Sequence, residues 1–129
     1  MDGDRKRLLI IDDDDRCRGL LEVQLELEGY AVQAASSGST GIEEMRKRRF
    51  DTVIADSHLP EVTGSEFAEF SKTTWRDTPV ILLSRNLNYL TESIDQFDAA
   101  ICIRKPYEPS MLMSVLRMVT QPLPTGQAV

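Results

Sequence analysis

The sequence predicts an α/β domain in which five short parallel strands alternate with helices on both faces of one sheet. Three observations lead there. Residues 8–11, 52–55, 80–83 and 101–104 form short runs rich in Ile, Leu and Val without strict alternation, as suits strands buried on both faces. Stretches with helical spacing separate them, so strand and helix alternate five times and the crossovers are right-handed. Each run also ends on polar residues: Asp12-Asp13, Asp56, Ser84 and Lys105-Pro106. Parallel strands place their C-terminal ends along one edge, so these residues meet there although they are far apart in sequence.

Taken in order, the first strand, Leu8 to Ile11, leads into a helix over 16–28, with Asp14 or Asp15 available as its cap. Cys17, Leu21 and Leu25 form its inner face, flanked by Leu20 and Leu27, and Gly29 supplies a left-handed ending. The second strand covers Ala31 to Ala35. After a turn at Ser37-Gly38-Ser39, Ile42 and Met45 mark the inside of a second helix. That helix closes on the basic run 46–49, which complements its negative end. Thr52 to Ala55 is the third strand, running into Asp56, followed by a loop from His58 to Gly64 and a helix bearing Phe67, Ala68 and Phe70. Thr78-Pro79 restarts the chain for the fourth strand. Leu90, Ile94 and Phe97 suggest a helix over 87–97 before the fifth. The last helix opens at Pro109 and buries Leu112, Val115, Leu116 and Val119, with Met113 turned outward beside Tyr89 in a partner surface. Residues 1–120 make the domain, and 121–129, with Pro122, Pro124 and Gly126, read as a flexible tail or linker stump.

Composition narrows the function. A length of 129 residues with 41% hydrophobic and 28% charged residues suits one globular core. The net charge of −6 argues against a broad nucleic-acid face and suits a cation-binding cleft; the basic run 46–49 is read as a solvated helix end. Cys17 and Cys102 show no metal-ligand spacing and read as structural. No apolar run is long enough for a signal core or a membrane span, so a cytoplasmic location is expected.

The chemistry lies at the shared strand edge. If the first and third strands are neighbours, Asp12, Asp13 and Asp56 converge. Two carboxylates about 4 Å apart repel by about 4 kcal/mol at an effective dielectric of 20, so the group calls for a counter-charge. Hard oxygen ligands favour Mg²⁺ or Mn²⁺. Beside such a cation a carboxylate can act as a phosphoryl acceptor, with Lys105 and Ser84 facing the phosphoryl oxygens.

These residues carry a resemblance. Leu8 to Asp13, Asp51 to Pro60 with Gly64, Pro79 to Ser84, and Lys105-Pro106-Tyr107 stand in the order and spacing of a response regulator receiver domain of the two-component systems. The resemblance spans about Arg7 to Thr120. It implies a flavodoxin-like five-stranded parallel sheet in the order 2-1-3-4-5. It also implies that Asp56 takes a phosphoryl group from a sensor histidine kinase or a histidine phosphotransfer protein. Asp12, Asp13 and Asp56, with a backbone carbonyl at Ser57 or His58, would hold Mg²⁺; Lys105 would contact the phosphoryl group across a cis Lys105–Pro106 bond. The resemblance implies a switch rather than an enzyme, one that catalyses only its own phosphorylation and dephosphorylation. Its face of fourth helix, fifth strand and fifth helix meets a downstream target or output domain, or a second copy as a homodimer. No direct nucleic-acid or membrane contact is expected.

Some positions depart from that pattern. Cys102 stands where the family carries a switching aromatic ring. Arg85, after Ser84, either screens the pocket, contacts the phosphoryl group or is simply solvated. His58 and Asn86, at the pocket mouth, are expected to control how water reaches the acyl phosphate. Two other functions stay open: a receiver-like interaction module independent of phosphorylation, and a metal-dependent phosphohydrolase with an aspartate nucleophile. The second lacks a carboxylate two residues after Asp56, where His58 stands.

Overall fold

The computed structural model describes residues 5–57, 59, 70, 77–85 and 100–120. Along the chain these form β1 (Arg7–Ile11), α1 (Asp15–Leu27), β2 (Ala31–Ala35), α2 (Gly38–Lys47), β3 (Thr52–Asp56), β4 (Val80–Ser84), β5 (Ala100–Arg104) and α3 (Pro109–Thr120). The five strands make one parallel sheet in the order β2-β1-β3-β4-β5. This is the flavodoxin-like arrangement, and chain order reverses at β1 and β3. Ile11 pairs with Ala55, so the residues following β1 emerge beside the end of β3.

Residue alternation along the strands splits the core in two. Leu9, Ile11, Val53, Ala55, Val80 and Leu82 face α2 with Met45 and Phe50. Leu8, Ile10, Ile54, Ile81, Leu83 and Ile103 face α1 and α3 with Leu21, Leu25, Leu112 and Leu116. Both faces of the central strands are therefore dry, which is why their runs do not alternate. Helix starts follow their caps. The Asp14 side chain accepts from the Cys17 N–H at 2.9 Å, and Ser37 Oγ accepts from the Thr40 N–H at 3.1 Å. The Ser37-Gly38-Ser39 turn is thus the cap and first turn of α2. Gly29 ends α1 at φ 101, a conformation that favours glycine.

Two expectations change. Met113 is buried at 6% exposure. At about 100° per residue, Leu112, Met113, Leu116 and Thr120 share one arc, so α3 is rolled toward Met113 and leaves Val115 and Val119 half-buried. Cys17 is exposed. It lies in the first turn of α1, beyond the strand ends, where no sheet lies beneath it. The basic run at the end of α2 is largely answered by acids: Arg46 pairs with Glu43 at 3.0 Å, Lys47 with Glu44 at 3.7 Å and Arg49 with Asp77 at 3.7 Å. Phe70 packs against the α2-side core under the Arg46 guanidinium, 5.9 Å from its ring centre. The helix expected over 87–97, the remainder of the helix bearing Phe67 and Ala68, Tyr89 and the tail 121–129 lie outside the described residues. Among the described residues no helix is long and apolar enough to cross a membrane.

Candidate functional site

Each site residue comes from the end of a strand. Asp12 follows β1, and its N–H still donates to the Ala35 carbonyl at 3.1 Å, continuing the ladder toward β2. Its carboxylate is nearly buried, whereas Asp13 beside it is exposed. Asp56 closes β3 half-buried. One carboxylate oxygen from each of Asp12, Asp13 and Asp56 lies within 4.8 Å of the others. Lys105 directly follows β5 and is joined to Pro106 by a cis bond. Its Nζ donates to Asp56 Oδ2 at 3.2 Å and lies 3.7 Å from Asp12 Oδ2. Asp12, Asp13, Asp14, Cys17, Asp56, Arg85 and Lys105 line a cleft of about 460 Å³.

The electrostatics follow from this crowding. Burial pushes the Asp12 carboxyl above its usual range; the Asp14 N–H, which donates to Oδ1 at 2.9 Å, and Lys105 pull it back, while Asp56 and Asp13 push it further up. Partial desolvation at the cleft rim and the carboxylates of Asp14 and Asp12 raise the Cys17 thiol, leaving it a poor nucleophile. The donor set suits a hard divalent cation, with three convergent carboxylates and space for further oxygen ligands in an open cleft.

Of the residues singled out from sequence, the fold brings Asp12, Asp13, Asp56, Lys105 and Arg85 to the cleft. Ser84 ends β4 at the same edge, fully buried, and its carbonyl accepts the Lys105 N–H at 2.8 Å. Cys102 is not among the described lining residues. It is half-buried on β5 opposite Leu82, packs toward the α2-side core, and its thiol is raised by burial. His58 and Asn86 lie outside the described residues. The sequence reading missed Asp14 and Cys17 as lining residues; a helix starting at Asp15 puts both at the cleft rim. It also missed Arg18, whose Nη1 donates to the Asp12 carbonyl at 2.9 Å and whose Nη2 donates to Asp15 Oδ1 at 2.6 Å.

Comparison with known proteins agrees with this geometry. A family model described as the response regulator receiver domain matches residues 8–117. The uncharacterized transcriptional regulatory protein YkoG of Bacillus subtilis is 28% identical over 116 residues, spanning 88% of this chain and 50% of YkoG. The chain spans half or less of the length of the first curated relatives it matches. Among solved structures, the chemotaxis response regulator CheY4 of Vibrio cholerae superposes with a TM-score of 0.81 at 26% identity, covering 89% of this chain and 98% of that one. The response regulator TrrA of Thermotoga maritima, solved in complex with Mg²⁺ and beryllium fluoride, gives 0.76 at 26% identity, covering 88% and 98%.

Proposed function

This chain belongs to the response regulator receiver family of two-component signalling, and we propose that it is a phosphoacceptor switch whose nucleophile is Asp56. The observation that carries this reading is the contact of Lys105 Nζ with Asp56 Oδ2 at 3.2 Å, inside a cluster of three carboxylates. In the proposed step an Asp56 carboxylate oxygen attacks the phosphorus of a phosphohistidine. The new O–P bond forms as the P–N bond breaks, and the imidazole nitrogen keeps the bonding pair; the ring leaves neutral because its other nitrogen already carries a proton.

Asp12, Asp13 and Asp56, with a main-chain carbonyl at Ser57 or His58, are the residues that would hold Mg²⁺. When bound, Mg²⁺ would offset charge on the phosphoryl oxygens and allow a crowded anion to accept another. Lys105 changes partner as the reaction proceeds, from the Asp56 carboxylate to a phosphoryl oxygen. The Ser84 hydroxyl donates to another, and that inward pull moves the chain after β4. Arg85 is exposed and lines the cleft, which supports a screening role for it. With Cys102 in place of a ring, the readout rests on the movement after β4 and on the surface of β5 and α3. A downstream target, an output domain or a second copy would meet that surface. No nucleic acid or membrane is assigned to these residues, although the curated relatives are named as transcriptional regulators.

The test is incubation with a phosphorylated histidine kinase or acetyl phosphate and Mg²⁺, followed by phosphate-affinity electrophoresis. Wild type should gain one acid-stable, base-labile phosphoryl group, and Asp56→Asn none. Phosphorylation of Asp56→Asn to the same extent would refute the assignment. Beryllium fluoride with Mg²⁺ separates the switch from an interaction module that ignores phosphorylation, because only the switch binds it. Steady turnover of small phosphate esters would instead point to a phosphohydrolase.

A further inference from the structure

We propose that Arg18 is a positioning residue for the cation site, acting with Asp15 as a charge-neutral clamp on the loop that carries Asp12 and Asp13. The inference rests on the reading that this cleft holds Mg²⁺. Arg18 is not among the described cleft-lining residues, yet its guanidinium holds the loop through the Asp12 carbonyl. Nη1 donates to the main-chain carbonyl of Asp12 at 2.9 Å, fixing the peptide that joins the two acidic residues. Nη2 donates to Asp15 Oδ1 at 2.6 Å. The Arg18 side chain is 20% exposed, against 89% for Asp15.

A cation beside a cation site should weaken it. Asp15 removes that objection, because the paired carboxylate cancels the guanidinium charge and leaves its geometry. The planar fork of Arg reaches two acceptors at once, which a Lys ammonium does less well. With the Asp14 N–H on Asp12 Oδ1, the Asp12 main chain and side chain are each held by a separate donor. The Asp12 carboxylate and the peptide leading to Asp13 are then set before any metal arrives, as outer-shell partners do at other metal sites.

Position and charge predict opposite signs. If Arg18 acted by charge alone, its removal would tighten Mg²⁺ binding; if it acts by position, removal weakens it. Calorimetric titration of the full chain with Mg²⁺ decides between them, using wild type, Arg18→Ala, Arg18→Lys and Asp15→Asn, with metal-free melting curves for each. The clamp predicts that Arg18→Ala lowers Mg²⁺ affinity by about 10–100-fold and that Arg18→Lys recovers part of the loss. Asp15→Asn should lose less, and its deficit should shrink as added salt screens the uncompensated guanidinium. Unchanged or tighter Mg²⁺ binding by Arg18→Ala overturns the clamp. Should that variant fail to fold, wild-type affinity in both Arg18→Lys and Asp15→Asn overturns it instead. If wild type itself takes up no Mg²⁺, the reading of the cleft fails and the clamp falls with it.

Discussion

Asp12 shows at the scale of one residue what the site asks of the protein. Its carboxylate is nearly out of water, beside Asp13 and Asp56, and burial raises its pKa above the ordinary value of 3.8. A raised carboxyl pKa in the folded state means that the native protein holds this proton more tightly than the unfolded chain does. The stability so gained is fully present below the unfolded pKa and is lost as pH rises through the folded one. At neutral pH without metal, ionised Asp12 is therefore a liability. Asp12→Asn should raise metal-free stability at pH 7 by on the order of 1 kcal/mol, measured by urea unfolding. The gain should disappear below about pH 4, and a destabilised variant at pH 7 would contradict the account. Asp12, Asp13, Asp56 and Lys105 were legible as a site because a polar residue ending an apolar run is visible in one dimension. Arg18 was not. The acceptor that ties it to the site is a backbone carbonyl six residues away, which leaves no mark on residue type.

Elements were read well where periodicity and punctuation agreed. The strand at 31–35 and the helix opening at Pro109 fall where apolar runs, caps and Pro place them, and the third strand extends its apolar run 52–55 by one residue, to Asp56. The rotation of α3 was harder to read. Apolar residues occupy most of 111–119, so the sequence pattern tolerates several rolls of the helix, and the sheet face beneath selects one. The structure selects the roll that buries Met113 and leaves Met118 75% exposed. Met113→Ala should therefore cost about 2–5 kcal/mol, as large-to-small changes in a packed core do. Met118→Ala should stay within about 0.5 kcal/mol of wild type. Chemical denaturation of the two variants measures the roll directly, and equal effects would mean that α3 sits differently. Cys17 follows a similar logic: spacing put it on the inner face, but the inner face of a first turn projects past the sheet.

At the scale of the whole sheet, the described residues gather acidic charge at one edge and form apolar clusters on both faces. The fold therefore holds a local electrostatic conflict at its edge, and stability elsewhere must sustain it. A cation that binds only the folded arrangement relieves that conflict, so its binding free energy adds to folding stability by mass action. At a Mg²⁺ concentration about 100 times the dissociation constant the gain should be about 2.7 kcal/mol. For a chain of this size it should appear as an upward melting shift of several degrees. Asp12→Asn should be stable without metal and nearly indifferent to it, because the substitution relieves the conflict and removes a ligand together. The crossing of the two proteins' stabilities as Mg²⁺ is added is the signature to measure, by calorimetry over a titration series. Parallel rises in both would show that the cation binds elsewhere on this acidic surface, and that the convergence of Asp12, Asp13 and Asp56 is not what draws it.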